Sequence, residues 1–238
     1  MKVLKFGGTS VGTVESVKAV LDIVKTSYEQ GEKPLVVLSA MSGVTNLLTS
    51  MAERAAEHLP FEEDLKHLEE RHFDVVKKLI AVKFQNPVFT RLKLMLNELE
   101  EILQGVSALR ELSLQSKDLI VSFGERLSNY MVAKIMEQYI AQSTFVDASH
   151  YIKTDANFGH AHVNELLTNQ LIQSLAHTHA DKLLFVTGFI GSNENGRITT
   201  LGRGGSDYTA AIFGSVLGAS AIEIWTDVNG MLTADHAL

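Results

Sequence analysis

The chain has 238 residues, of which 45% are hydrophobic and 21% charged, so it can bury a sizeable core and does not have the composition of a disordered protein. Its net charge of -7 makes nucleic acid or an anionic membrane surface an unfavourable partner. The absence of cysteine excludes disulfides, thiolate metal sites and a cysteine nucleophile, and no apolar run approaches the roughly 18 residues of a membrane span. We therefore expect a cytoplasmic protein with no nucleic-acid partner and no membrane partner.

The first elements predicted along the chain form a βαβ unit. Residues 1–5 have the pattern of a short strand, and apolar residues then recur at helical spacing over 14–24, with Gly31 as the C-cap. The following run, residues 34–40, is almost continuously apolar, which is typical of a parallel strand covered on both faces. A glycine-rich turn between a strand and a helix is a common position for a phosphate site.

The rest of the chain combines a helical insertion with further strands. Residues 44–142 are mostly helical in pattern, and Pro60 and Pro87 are the expected breaks. Strand patterns return at 144–147, 183–187 and 221–225. A hairpin is predicted within 188–202. With a helix in each interval between these strands, the order predicts an α/β fold with an open, mostly parallel sheet.

The turn after the first strand resembles two known phosphate motifs and fits neither. Gly7 and Gly12 have Walker A spacing, but Thr13 stands where the lysine of that motif belongs, and the glycine spacing is also not that of a dinucleotide-binding turn. Lys5 precedes the turn and could direct its ammonium group towards phosphoryl oxygens that the backbone at Gly8 also contacts. The alternative is a tight β–α turn beside a surface lysine.

Four further clusters of glycine and polar residues follow strands or open helices. They lie at 39–46, 122–126, 200–211 and 225–230. Because ligands of open α/β sheets bind at the carboxyl ends of the strands, we expect these clusters to meet in one crevice with Lys5 and Arg203 as its cationic centres. Such a crevice suits an anionic substrate beside a polyphosphate.

Each cluster also has a purely structural interpretation. Ser42 and Thr45 could simply cap a helix, and Glu125, beside Gly124, could lie on a solvated helix face. Asp207 could be a helix cap, or it could orient Lys5 or a magnesium ion in the crevice. The paired histidines lack a third ligand at a suitable spacing, so we expect no metal site formed by a side-chain cluster.

Taken together, the clusters resemble the signature stretches of the aspartokinase family. The stretches that carry the resemblance are Lys5-Phe6-Gly7-Gly8-Thr9-Ser10, Ser122-Phe123-Gly124-Glu125, Gly202-Arg203-Gly204-Gly205-Ser206-Asp207 and Trp225-Thr226-Asp227-Val228-Asn229-Gly230. The resemblance implies the amino acid kinase fold, in which helices sandwich an open sheet. It also implies transfer of the ATP γ-phosphoryl group to the side-chain carboxylate of L-aspartate, the first step of the pathway to lysine, threonine and methionine.

The resemblance also implies roles for individual residues. It assigns to ATP the residues Lys5, Gly7, Gly8, Ser39, Thr226 and Asp227. It assigns to L-aspartate the residues Thr45, Glu125, Arg203 and Ser206. Lys5 would stabilise charge on the transferring phosphoryl group, Arg203 would clamp a carboxylate and Glu125 would bind the substrate ammonium. Asp207 would organise Lys5 and the Mg²⁺ that accompanies ATP, or act as a base; the organising role is favoured because the substrate carboxylate is already ionised at pH 7.

The resemblance also leads to expectations about the whole protein. It implies that residues 1–238 are an aspartokinase catalytic domain truncated at its C-terminus, without the regulatory ACT domains that follow in the family. The parent is either a monofunctional enzyme or a bifunctional aspartokinase–homoserine dehydrogenase, and we expect the full-length enzyme to be a homo-oligomer. Two alternatives stay open at this point: another amino acid kinase, or a ligand-binding fragment without turnover.

Overall fold

The computed structural model describes residues 1–226, and Asp227 lies outside them. The strands in this part of the chain are β1 (Lys2–Phe6), β2 (Leu35–Leu38), β3 (Ser143–Val146), β4 (Leu183–Thr187), β5 (Ile190–Ser192), β6 (Ile198–Thr200) and β7 (Ala221–Trp225). The helices are α1 (Val14–Glu29), α2 (Val44–Ala56), α3 (Glu62–Leu79), α4 (Val82–Leu109), α5 (Leu114–Glu137), α6 (Glu165–Thr178) and α7 (Gly205–Val216).

Five of the strands form one parallel sheet in the order β3-β4-β2-β1-β7. Helices α1 to α5 cover one face and α6 and α7 cover the other. Along β1, Leu4 and Phe6 pack with the first helical layer while Val3 packs with the second, because successive side chains of a strand point to opposite faces. The predicted α/β fold with an open, parallel sheet sandwiched by helices is therefore confirmed.

The helical layer contains one departure from the sequence prediction. Pro60 lies in the connection between α2 and α3, as expected of a break, but α4 continues through Pro87. Proline removes one helical hydrogen bond, and here Val88, the next residue, and Leu92, about one turn further on, are both buried in the helical core. Packing outweighs that local cost. Among residues 1–226, no helix is long and apolar enough to cross a membrane.

The hairpin leads the chain back to the sheet edge. Strands β5 and β6 pair antiparallel, and Gly196 in the turn between them adopts a φ of +72°, which is open to glycine at little cost. After β6 the chain passes Gly202 and Gly204, both with a φ of +75°, and enters α7. The hairpin thus delivers a glycine-rich loop to the carboxyl ends of β1 and β2.

Candidate active site

A cavity of about 390 Å³ opens where β1 and β2 end and where α2 and α7 begin. Eight of the residues singled out from the sequence line it, namely Lys5, Gly8, Ser39, Thr45, Glu125, Arg203, Ser206 and Asp207. They come from four of the five glycine-rich clusters. The expected crevice at the carboxyl ends of the strands is therefore present in the fold, and it brings together two cationic and two acidic side chains.

Two of the predicted residues that the structure describes, Gly7 and Thr226, are not part of the cavity lining. Gly7 lies just behind Lys5, and its N–H donates to the carbonyl oxygen of Trp225 at 3.4 Å. Thr226 directly follows β7 and is exposed, but it does not line the cavity. Asp227 lies outside the described residues. The fifth cluster thus contributes none of its described residues to the cavity wall.

Lys5 and Asp207 form an ion pair inside the cavity. The distance from Lys5 Nζ to Asp207 Oδ1 is 2.6 Å, and the lysine is 8% exposed. Lys5 reaches this position because it lies on the face of β1 that packs against α7. The N-cap of α7 is Gly204, without a side-chain cap, so the interpretation of Asp207 as a helix cap is wrong. Its carboxylate in the first helical turn instead holds the lysine ammonium.

The turns after β1 and β2 pack directly on each other. The N–H of Ser42 donates to the carbonyl oxygen of Gly8 at 3.0 Å, and a Cβ added at Gly8 would lie 2.8 Å from the carbonyl oxygen of Ala40. A side chain at Gly8 would therefore push the two turns apart. Helix α2 begins after Gly43, which has a φ of +79° and no side-chain cap, so neither Ser42 nor Thr45 is its N-cap.

Glu125 presents a buried carboxylate to the cavity. It is 3% exposed, its Oε1 accepts the N–H of Ala40 at 3.2 Å, and its buried Oε2 has no hydrogen-bond partner among residues 1–226. Burial raises the pKa of Glu125 to about 8, and the hydrogen bond from Ala40 opposes the shift only in part. A cationic ligand group would satisfy both the free oxygen and the buried charge.

Helix α5 is held tightly against the end of β2, which fixes Glu125. Ser128 Oγ donates to the carbonyl oxygen of Ser39 at 2.7 Å, and Asn129 Nδ2 donates to that of Leu38 at 3.0 Å. The helix is continuous through Gly124, where a Cβ would lie 2.8 Å from the Cβ of Ala40. A glycine inside a helical pattern indicates either a break in the helix or a close backbone approach, and at Gly124 the structure has the close approach.

Replacing Gly124 by alanine should lower the free energy of unfolding by about 1–3 kcal/mol, the usual cost of overpacking a core. Gly105 offers a matched control, because it is an exposed glycine inside α4 with nothing within 4 Å of an added Cβ. Gly105→Ala should raise the same free energy by about 0.5–1 kcal/mol. Urea unfolding followed by circular dichroism measures both, and equal effects of the two variants would contradict the close approach at Gly124.

Arg203 is an exposed cation held between two glycines. It has no hydrogen-bond or ion-pair partner within the described part of the chain, although it lines the cavity. Ser206, three residues further on, is 9% exposed and packs so closely on Gly188 that a Cβ there would lie 2.5 Å from Ser206 Oγ. The guanidinium is therefore available for a bidentate contact with a carboxylate of a ligand.

Phe189 also lines the cavity and was missed by the sequence interpretation. Its φ of +70° is unusual for an aromatic residue, and its N–H donates to Oγ1 of Thr209 on α7 at 3.0 Å. Nothing in the local sequence pattern indicates that Phe189 lines a cavity, because an apolar residue after a strand is ordinarily interpreted as part of the core. Across residues 1–226, no group of three His, Cys, Asp or Glu side chains is arranged to hold a metal ion.

Comparisons with known proteins agree with this architecture. The chain is 36% identical to aspartokinase 1, chloroplastic, of Arabidopsis thaliana, over 99% of this chain and 42% of that protein. It is 35% identical to lysine-sensitive aspartokinase 3 of Escherichia coli K12, over 98% of this chain and 50% of that protein. The chain thus spans half or less of the length of these relatives.

A solved structure shares the fold closely. The crystal structure of E. coli aspartokinase III in complex with aspartate and ADP superposes with a TM-score of 0.88 and 33% sequence identity, covering 97% of this chain and 50% of that one. The aspartate kinase of Clostridium acetobutylicum superposes with a TM-score of 0.80 at 25% identity. The sequence profile of the amino acid kinase family matches residues 1–237. The chain therefore belongs to the amino acid kinase family.

Proposed function

We propose that the chain transfers the γ-phosphoryl group of ATP to the side-chain carboxylate of L-aspartate, which makes it an aspartate kinase that forms 4-phospho-L-aspartate. The observation that carries the proposal is the set of ionisable side chains in one cavity: a lysine paired with an aspartate, and, as far as residues 1–226 show, an arginine without a partner and a buried glutamate with one oxygen that accepts no hydrogen bond. The E. coli structure that shares this fold contains aspartate and ADP.

Arg203 and Glu125 suit the amino acid end of the substrate. The Arg203 guanidinium would clamp the α-carboxylate in a planar, two-point contact, and the free Oε2 of Glu125 would accept a hydrogen bond from the α-ammonium. Thr45 and Ser206 line the same cavity and would complete this half of the site. The side-chain carboxylate would then extend towards Lys5, where it attacks the γ-phosphorus.

Lys5 and the turns suit the triphosphate end. The Lys5 ammonium would meet the oxygens of the transferring phosphoryl group, where negative charge is spread in the transition state. The backbone N–H of Gly8 and the hydroxyl of Ser39 would contact phosphates, while Gly7, whose own N–H donates to the carbonyl oxygen of Trp225, would hold the turn in place beside them. Thr226 and Asp227 would lie on the nucleotide side. The bond from the γ-phosphorus to the bridging oxygen breaks, and ADP leaves with that oxygen.

Asp207 would organise the reaction without removing a proton. The attacking carboxylate is already ionised at neutral pH, so no strong base is required. Asp207 holds Lys5 at 2.6 Å, and among the described residues Asp207 and Glu125 are the carboxylates that line the cavity. Mg²⁺ would be held mainly by the ATP phosphates with Asp207 as the protein's acidic contact, and it would neutralise phosphate charge.

A hydroxylamine trap for aspartyl phosphate tests the proposal. With the 238-residue chain and magnesium-ATP, we expect hydroxamate to form with L-aspartate and not with L-glutamate. Hydroxamate with glutamate instead of aspartate, or release of ADP that depends on an added nucleoside monophosphate, would indicate another member of the family. Calorimetric binding of aspartate without any product would indicate a binding protein without turnover. Either result would contradict the proposed activity.

Several wider expectations stay predictions. The proposed reaction would be the first step towards lysine, threonine and methionine, and we place the enzyme in the cytoplasm. A homo-oligomer is expected for the full-length enzyme, with either a monofunctional or a bifunctional parent.

A further inference from the structure

Asp118 is a buried carboxylate outside the cavity that joins three parts of the chain. It lies near the start of α5 and is 3% exposed. Its Oδ2 accepts the N–H of Gly159 at 2.8 Å and that of Thr200 at 2.9 Å, and its Oδ1 accepts the Thr200 hydroxyl at 2.8 Å. Burial raises the pKa of Asp118, and the three hydrogen bonds oppose that shift because they favour the ionised form.

The position of Asp118 connects the two groups that bind the amino acid end of the substrate. Glu125 follows it on the same helix by seven residues, about two turns, so both residues project from one face of α5. Thr200, which Asp118 holds through two hydrogen bonds, ends β6 three residues before Arg203. Helix α5 therefore carries Glu125 directly, and through Asp118 it also fixes the end of β6, from which the chain leads to Arg203.

Lys5 and helix α7, which also carries Ser206, are held by contacts that do not involve Asp118. Helix α7 is tied to Lys5 through Asp207, and Thr209 binds the N–H of Phe189 at 3.0 Å. Phe213 of α7 is fully buried in the core beneath the sheet. Removing the Asp118 contacts would thus loosen the strand and loop that lead to Arg203 while α7 and Lys5 stay in place.

We propose that Asp118 is a positioning residue that sets the separation between Arg203 and Glu125, and with it the affinity for aspartate and the preference for aspartate over glutamate. This proposal rests on the proposed function. The added methylene of glutamate moves its side-chain carboxylate relative to the grip on its α-carbon. When Arg203 and Glu125 are held at a fixed separation, the displaced carboxylate of glutamate is poorly placed for reaction. When their separation can vary, the site can accommodate glutamate.

Substitutions of graded severity test the positioning role. Asp118→Ala removes all three hydrogen bonds and should raise KM for aspartate about tenfold, with KM for ATP changed less than twofold and a reduced preference for aspartate over glutamate in kcat/KM. Asp118→Asn can keep two acceptor contacts and turn its amide towards the Thr200 hydroxyl, so it should restore most of the affinity. Lys117→Ala is the matched control, because within residues 1–226 Lys117 pairs with Glu53 alone, at the surface, and its removal should leave every constant unchanged.

The outcomes separate this proposal from the proposed function. If the wild-type chain neither binds nor phosphorylates aspartate, the function itself fails. If the wild type uses aspartate and folded Asp118→Ala does so with an unchanged KM, or with equal rises in both KM values, the positioning role fails alone. If Asp118→Ala does not fold, as judged by circular dichroism, Asp118→Asn must still raise KM for aspartate about threefold without changing that for ATP, and no rise overturns the proposal.

Discussion

Replacing Lys5 by alanine should lower kcat for aspartyl phosphate formation by about a hundredfold or more, with small changes in both KM values. The effect follows from the position of the ammonium, which is almost fully buried and held 2.6 Å from Asp207 before any substrate arrives. A preorganised charge acts mainly on a transition state in which charge is redistributed, and its removal generally costs two to three orders of magnitude in turnover, or about 2.7–4 kcal/mol.

The same strand supplies a matched control for Lys5. Lys2 is also a lysine on β1, but it pairs with Glu32 at 3.0 Å and Glu223 at 3.2 Å, away from the cavity lining. Lys2→Ala should leave kcat within about twofold, since exposed ion pairs contribute little. A less than tenfold loss in Lys5→Ala, measured by hydroxamate formation at saturating substrates, would remove Lys5 from the mechanism. A loss of equal size in Lys2→Ala would indicate a general defect of the sheet.

Much of the fold follows from local patterns in the sequence. Continuous apolar runs identify β2 and β4 because a parallel strand buried on both faces has no polar side to show. Strand boundaries shift by a residue or two, as with β1, which runs from Lys2 to Phe6 instead of over 1–5. The break expected at Pro87 is not present, because whether a helix continues through a proline depends on the packing of the following turns and not on the proline alone.

The candidate site, like the fold, can be predicted from the sequence only in part. Glycine and hydroxyl residues after strands were sufficient to predict the crevice, since parallel topology brings strand ends to one edge. What local reasoning misses are contacts between segments distant in sequence. Asp118 reads as an ordinary polar residue near a helix start, yet it binds Thr200, 82 residues away. Phe189 reads as core, and its place in the cavity depends on the turn into the hairpin.

Glu125 leads to a pH dependence whose sign is fixed by the structure. Its pKa in the folded, unliganded chain is raised to about 8 from an ordinary value of 4.5, so at pH 7 the carboxyl group is mostly protonated. The folded state then binds the proton more tightly than the unfolded state does. The contribution of this group to stability is complete below about pH 4.5 and is lost as the pH rises through 8. An ammonium ligand requires the ionised form, so aspartate binding should release a proton.

The affinity for aspartate should therefore rise with pH, by up to about tenfold per unit below pH 8, and level off above it. Glu125→Gln should abolish this dependence and weaken binding at pH 8 by about a hundredfold, because the buried ammonium loses its counter-charge. Glu53→Gln, which removes an exposed carboxylate paired with Lys117, should keep the wild-type profile. Isothermal titration calorimetry in buffers of different ionisation enthalpy measures both affinity and proton release, and an affinity independent of pH in the wild type would contradict the role of Glu125 as the ammonium acceptor.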